Sequence, residues 1–548
     1  MKRLTLFLAL AAATGAAAQG IMGGHVTGNI QFDGQISHRD SVIGAEDVPE
    51  RFLSNARVDL TYTNGGFSAG VRFESYQHPM LGFDARYKGQ GLANYFLSYQ
   101  GEKMAVTAGN VYEQFGSGMI LRAYEDRYIG IDNSLLGLGF RYRPVNGVTL
   151  KGVIGKQRFF WDYGDGLVRG IDGEVSLNDV VQAWSESKTR VTLGAGFVSK
   201  YEDDESILAS AGYKLNLPLN VGAGAVRMDL THGKWSLQAE YAAKGQDPNI
   251  MNGYIYKKGD ALLLNATYSQ KGFSANLQAK RVDNMSFKSA RSQTGEMLYI
   301  NYIPAITKQH TYAFLTMYPY ATQTTGEMGL QGDVMYKIKK DTWLGGKYGT
   351  DIHLNYSVIT GLDTNIIGGR GTNGYEASFL GTGELYYRDF SLEVARKLSS
   401  KHKLSLVYGY TVFNPIVEGH AGDLHHNHVV VADWTWKIDR KNVLRVEAEW
   451  LGSDSKYTSL VDDKRAGDWI MALVEYNFTS AFFVSLSDQY CYNDGIGNYY
   501  NVSLGYTKGA SRLQVGFGKQ REGLLCIGGI CRQVPASNGL TFSFTTSF

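Results

Sequence analysis

A serine set between glycines, a group of histidines and two glutamates two residues apart are where this sequence offers reactive side chains at short spacing. Gly66-Phe67-Ser68-Ala69-Gly70 fits the G-x-S-x-G pattern. A nucleophile elbow needs a strand, a strained turn and a helix around that serine, and here the motif opens a strand after the turn Asn64-Gly65-Gly66. His420, His425, His426 and His428 are clustered, and His426 and His428 share one face of an extended chain, a spacing that can ligate a transition metal. No nearby cysteine or carboxylate set completes such a site. Glu447 and Glu449 are spaced like a paired acid and base, but Arg445 on the same face makes them part of a charge-balanced wall. There is no glycine-rich phosphate loop and no H-E-x-x-H. We expect no catalytic, cofactor or metal site, and a protein that is not an enzyme.

The elements that carry these residues alternate. Val58, Leu60 and Tyr62 share one strand face and Arg57, Asp59 and Thr61 the other; after the turn, Phe67, Ala69, Val71 and Phe73 oppose Ser68, Gly70, Arg72 and Glu74. Leu444, Val446, Ala448 and Trp450 oppose Arg445, Glu447 and Glu449 in the same way. Gly is 66 of 548 residues, roughly 12% against a usual ~7%, and there are 36 Tyr and only 9 Pro, a composition of many strands. The 54 Lys plus Arg nearly balance the 52 Asp plus Glu, which argues against a nucleic-acid partner. No linker or shift in composition divides the chain.

Lys2 and Arg3 precede an apolar run from Leu4 to Ala13 and the small residues Ala16-Ala17-Ala18, so residues 1–18 read as an export signal cleaved after Ala18 and residues 19–548 as the mature chain. No later run is long and apolar enough for a membrane helix. Many alternating runs approach ten residues, the length a tilted strand needs to cross a bilayer, whereas sandwich strands are shorter. Tight connections fall near Gly65, Gly101, Asn146, Asn178, Gly233, Gly272, Ala305, Lys340, Lys401, Arg440, Ser480 and Lys508, with longer polar segments between them. Counting these turns gives an all-β fold: a single large antiparallel transmembrane barrel of about 26 strands, range about 22–28, with both termini periplasmic.

At the C-terminus Leu540, Phe542, Phe544 and Phe548 alternate with Thr541, Ser543, Thr545 and Ser547. This resembles the closing strand by which bacterial outer-membrane barrels are recognised by their insertion machinery. Two further stretches, Gly20-Ile21-Met22-Gly23-Gly24-His25-Val26-Thr27-Gly28-Asn29 and Tyr112-Glu113-Gln114-Phe115-Gly116-Ser117-Gly118-Met119-Ile120-Leu121-Arg122 with Tyr124-Glu125-Asp126-Arg127, resemble a family of large outer-membrane proteins of Bacteroidota. The resemblance implies location and fold and brings no established activity.

Such a barrel should carry Arg57, Asp59, Arg72, Glu74, Arg445, Glu447 and Glu449 on its lumen wall. Residues 116–133 mix Met119, Ile120 and Leu121 with Arg122, Glu125, Asp126 and Arg127. They read either as a constriction loop folded onto that wall or as a strand continued above the membrane. Cys526 and Cys531 bracket a turn-like tetrapeptide and should form a disulfide; Cys491 is left over. The expected function is a porin-like or transport channel for polar solutes, with a mixed-charge lumen narrowed by infolded loops. The alternative is a non-conducting scaffold or secretion component that binds surface proteins or glycans. Expected partners are outer-membrane lipid, the insertion machinery and, on the second reading, envelope or surface proteins.

Overall fold

The computed structural model describes residues 23–548 except 211, 457–462, 493–496 and 528–529; the expected export signal lies outside the described residues. One antiparallel sheet of 24 strands closes on itself. The first strand, His25–His38, pairs with the last, Ser537–Ser547, so that no edge is left open. At the seam Phe548 exchanges backbone hydrogen bonds with Gly28 at 2.9 and 3.0 Å. Its ring lies where a Cβ on Gly28 would sit, 2.2 Å away, so only glycine fits there.

Among the described residues, eleven connections, mostly short, gather at one end of the barrel and twelve, mostly longer, at the other. We call these the turn end and the loop end; both barrel termini reach the turn end. No helix among the described residues is long and apolar enough to cross a membrane.

Alternation settles the two faces. Outward Leu97, Ile171, Val226, Leu277, Ile470 and Leu504 are exposed. Near the turn end the outward face becomes a belt of touching rings: Trp235 to Tyr268 at 4.8 Å, Tyr268 to Phe273 at 6.0 Å, and Phe478 to Phe482 to Tyr506 at 5.8 and 4.5 Å. An apolar band rimmed by aromatics is the surface that a hydrocarbon surround selects.

The count of 24 lies within the expected range but two below 26, and the difference has one source. The turn expected near Ala305 does not exist: residues 284–325 form a single connection that runs into the lumen instead of adding a hairpin to the wall. A circular barrel of this many strands, ~4.8 Å apart and tilted ~40°, is about 48 Å across, far too wide for wall side chains to fill. Something else must occupy it.

Candidate functional site

Two segments do so, residues 112–134 and residues 284–325, and they fill only the loop-end half. The inward residues of a single strand record this. On Asn442–Ser453 the inward side-chain exposure falls from 33% at Arg445 to 5% at Glu447, and Glu449 is buried. On Trp235–Lys244 inward Gln238 is exposed and Glu240 is buried. The turn-end half is therefore a polar vestibule, and the loop-end half is packed like a protein interior.

The first segment follows the strand Met104–Val111. Phe115, Met119, Ile120 and Leu121 bury themselves against inward-facing Val168, Val198 and Ala242, which accounts for apolar residues in a connection otherwise rich in charge. Gly116 brings the backbone up to the wall with φ +53°; a Cβ there would meet the Glu240 carboxylate at 2.7 Å, and the next amide, on Ser117, donates to that carboxylate at 2.8 Å.

Beyond this apolar contact lies a chain of ion pairs. Glu125 pairs with Arg57 and, at 2.9 Å, with Arg72. Arg57 and Arg72 also hold Asp59 at 2.5 and 2.9 Å. Asp132 accepts from Arg72 at 2.8 Å and from Arg158 at 2.7 Å, and Arg158 reaches Glu74 at 2.6 Å. Burial alone would lift the Asp132 carboxyl, but Arg158 and Arg72 outweigh it and hold the group below the usual 3.8. Four of the seven residues expected on the lumen wall, Arg57, Asp59, Arg72 and Glu74, thus meet in one cluster with two residues of the infolded segment, Glu125 and Asp132.

The other residues singled out in this segment behave differently. Arg122 does not reach the wall: its guanidinium lies between the rings of Tyr124 and Tyr302, 4.2 and 4.0 Å from their centres. Asp126 turns back to accept the amides of Tyr128 and Ile129 at 2.9 and 3.2 Å. Arg127 extends furthest toward the vestibule, donating to Gln31 at 3.1 Å and lying 3.9 Å from Asp59.

Residues 284–325 contain no barrel strand, so their amides and carbonyls need partners away from water. The wall provides them. Lys200 donates to the Lys288 carbonyl at 2.7 Å, Lys244 to Ser286 at 2.5 Å, and Lys280 to Pro304 at 2.6 Å. Glu449 accepts the amides of Ala313 and Phe314, both at 2.9 Å, and Glu327 accepts that of Gln323 at 2.7 Å. The charges are themselves neutralised, Lys280 by Glu327 at 2.5 Å and Lys200 by Asp247 at 2.8 Å. Around them Phe314, Leu315 and Tyr318 pack on Phe413, Val429 and Trp469, and Cys491 is buried in the same cluster. Glu447 and Glu449 accordingly have separate jobs, Glu447 pairing with Arg445 and Glu449 holding the segment.

The two segments meet along a seam. Arg122 donates its amide to Ile300 at 2.8 Å, Tyr302 to Gly118 at 2.9 Å, and the Asn133 side chain to Tyr299 at 3.0 Å. Above the seam Cys526 and Cys531 are bonded across a short hairpin, Gly523–Ile527 with Ile530–Val534. Of the histidines, His426 meets Asp454 at 2.6 Å and His428 meets Tyr408 at 2.9 Å, while His425 points inward against Tyr318. Ser68 sits in the wall opposite Thr63 with no helix following.

Residues 1–548 match, end to end, the sequence profile described as Family of unknown function (DUF6029). The chain belongs to that family. No curated protein matches it. Among solved structures the DUF6029 barrel is similar to the translocation pore of the P pilus usher PapC, with 9% identity and a TM-score of 0.44, over 95% of this chain and 99% of that one. It is also similar to the siderophore receptor PirA from Pseudomonas aeruginosa, with 10% identity and a TM-score of 0.42, over 95% and 80%. A third, OccK3 (OpdO) of Pseudomonas aeruginosa, has 10% identity and a TM-score of 0.38, over 76% and 96%. Likeness at this level carries no function across.

Proposed function

We propose that the DUF6029 barrel resides in the bacterial outer membrane as a gated transport barrel for polar solutes, closed in the conformation described, with residues 112–134 as the gate. The observation that carries this reading is the ion-pair cluster of Glu125 and Asp132 with Arg57, Arg72 and Arg158. The Glu125 pairs border the polar vestibule, where water can replace them when the segment moves, and the buried Asp132 pairs hold the segment closed until then. The apolar exterior and its aromatic belt support the membrane location, and the short turns would then face the periplasm with both barrel termini.

Single-channel recording in planar bilayers tests it. Wild-type protein should conduct little, and deleting Met119 to Arg127 should produce stable conducting steps in a barrel that still assembles. A second reading, a non-conducting scaffold for surface or envelope proteins, is favoured by the apolar packing of residues 284–325. If the deletion stays silent and instead abolishes co-purification of another envelope protein, the scaffold reading replaces the gate.

A further inference from the structure

The loop end holds a cavity of 1030 Å³ that neither the gate nor the wall explains. It is walled by residues of the loop-end connections, among them Pro415, Asp423, Asp454 and Glu522, with Cys531 of the disulfide hairpin at its edge. A second cavity of 360 Å³ shares Glu296, Ala321, Val417 and Cys531 with it and is floored by the seam between the two infolded segments. Together they make one concavity open at the loop end.

Its charge is one-sided. Six carboxylates line the larger cavity against Lys456 and Arg465, a formal charge of −4 with histidines neutral. Both cations are already used: Arg465 holds Glu418 and Asp463 at 2.7 and 2.9 Å, and Lys456 holds Asp468 at 2.7 Å. His426 holds Asp454. Glu296, Asp423 and Glu522 have no cation within ion-pair distance among the described residues.

A second observation is independent of charge. His425 and Asn301, each 4% exposed, line the larger and the smaller cavity, and the His425 Nδ1 and the Asn301 Oδ1 have no hydrogen-bond partner. Buried polar atoms are ordinarily satisfied, so such atoms at a cavity wall mark where a ligand atom belongs. A metal ion does not fit, because no three His, Cys, Asp or Glu side chains among the described residues gather closely enough to hold one. The carboxylates are spread along the cavity, which suits a ligand whose own charges are spread.

We propose that this cavity binds a linear solute bearing several ammonium groups, of the size of a short basic oligopeptide, through Glu296, Asp423 and Glu522. Such a site would concentrate its ligand at the loop end by charge and hold it over the seam. The inference stands whether or not the barrel conducts.

Calorimetric titration of the purified full-length protein in detergent tests it, with tetralysine as probe and tetraglutamate and maltotetraose as controls. Tetralysine alone should bind, and less tightly as salt rises. Glu296→Gln, Asp423→Asn and Glu522→Gln should each weaken it about 3- to 10-fold, and the triple variant should remove measurable binding while unfolding at the wild-type temperature. Asp351→Asn, at the turn end, should leave it unchanged. The site is overturned if wild type does not bind tetralysine, if the triple variant binds it as well as wild type, or if either control binds equally tightly. Binding in a barrel that never conducts would uphold the site and refute the gate. Conductance in the deletion variant, with no tetralysine binding by wild type, would do the reverse.

Discussion

Residues 112–134 and residues 284–325 occupy the same half of one lumen by opposite means. The shorter segment anchors its vestibule side with side-chain charges, Glu125 and Asp132 against wall arginines. The longer one is held through its backbone, with wall lysines and glutamates reaching its carbonyls and amides inside an apolar shell. Whereas the Asp132 pairs are buried, the Glu125 pairs, at the edge of the vestibule, can open and close at modest cost. A desolvated backbone cannot, because each group released without a partner costs about 1–3 kcal/mol. At its vestibule edge the first segment is therefore the easier of the two to release.

Deletion gives the sharpest contrast and the largest effect. Removing residues 286–322 would wet a wall that presents Val429, Val431 and Leu451 inward, and no folded, heat-resistant barrel should be recovered. Removing Met119 to Arg127 uncovers a smaller apolar patch, with Val168, Val198 and Ala242 in it, and should leave one. Equal recovery of both would end the division into fixed and mobile segments.

Single substitutions sharpen the same point. Glu327 is fully buried and satisfies Lys280, the Tyr320 hydroxyl and the Gln323 amide at once. Glu327→Leu leaves a buried ammonium unpaired and should cost about 3–5 kcal/mol in denaturant unfolding. Glu125→Gln, at 18% side-chain exposure on the edge of the vestibule, should cost only about 1 kcal/mol. A larger loss for Glu125→Gln than for Glu327→Leu would reverse the assignment.

The strand faces and all but one of the expected turns were legible in the sequence, because a wall covered by apolar surroundings on one side must alternate. The misread turn at Ala305 shows where that logic stops. Phe287, Tyr318 and Tyr320 repeat like strand residues because they too need cover, yet their cover is the inner wall and not a ladder partner. Pro319, inside the supposed returning strand, argued against pairing. A further signal was available in Val429-Val430-Val431, apolar on both faces at the loop end of a strand. A water-filled lumen would have put a polar residue at Val429 or Val431, so inward apolar residues imply something apolar inside. Glu240, Lys244, Lys280 and Glu327 were passed over because alternation marks them as lumen-facing and says nothing about what they touch. Asp132 was passed over because the turn that aims it at Arg158 is not visible in spacing.

Acidity and alkalinity should separate the segments without mutation. Asp132 has its carboxyl held below 3.8, so its contribution is complete above that value and is lost as pH falls through the lower folded value. A fluorophore on Tyr128→Cys should therefore gain mobility only below about pH 4. In the other segment burial pulls the Lys288 ammonium down to about 8, with Glu296 opposing. Between that value and 10.5 the unfolded chain holds the extra proton, so stability should rise with pH across this window. Acid loosening of residues 284–325 before residues 112–134 would contradict the comparison.

The smallest expected effect is on ion preference, and it divides two arginines of the same segment. Arg127 is the one that reaches the vestibule, with 40% of its side chain exposed beside Asp59, whereas Arg122 lies between Tyr124 and Tyr302. In the conducting state Arg127→Gln should shift selectivity toward cations, by less than about twofold, because one fixed charge at the rim of a wide opening is partly screened by salt. Arg122→Gln should leave selectivity alone and instead raise the frequency of opening, since it removes the ring contact with Tyr302 that joins the gate to the fixed segment. Reversal of these two signatures in the same recordings would place Arg122 in the ion path and Arg127 in the seam, and would require the gate to pivot about its other end.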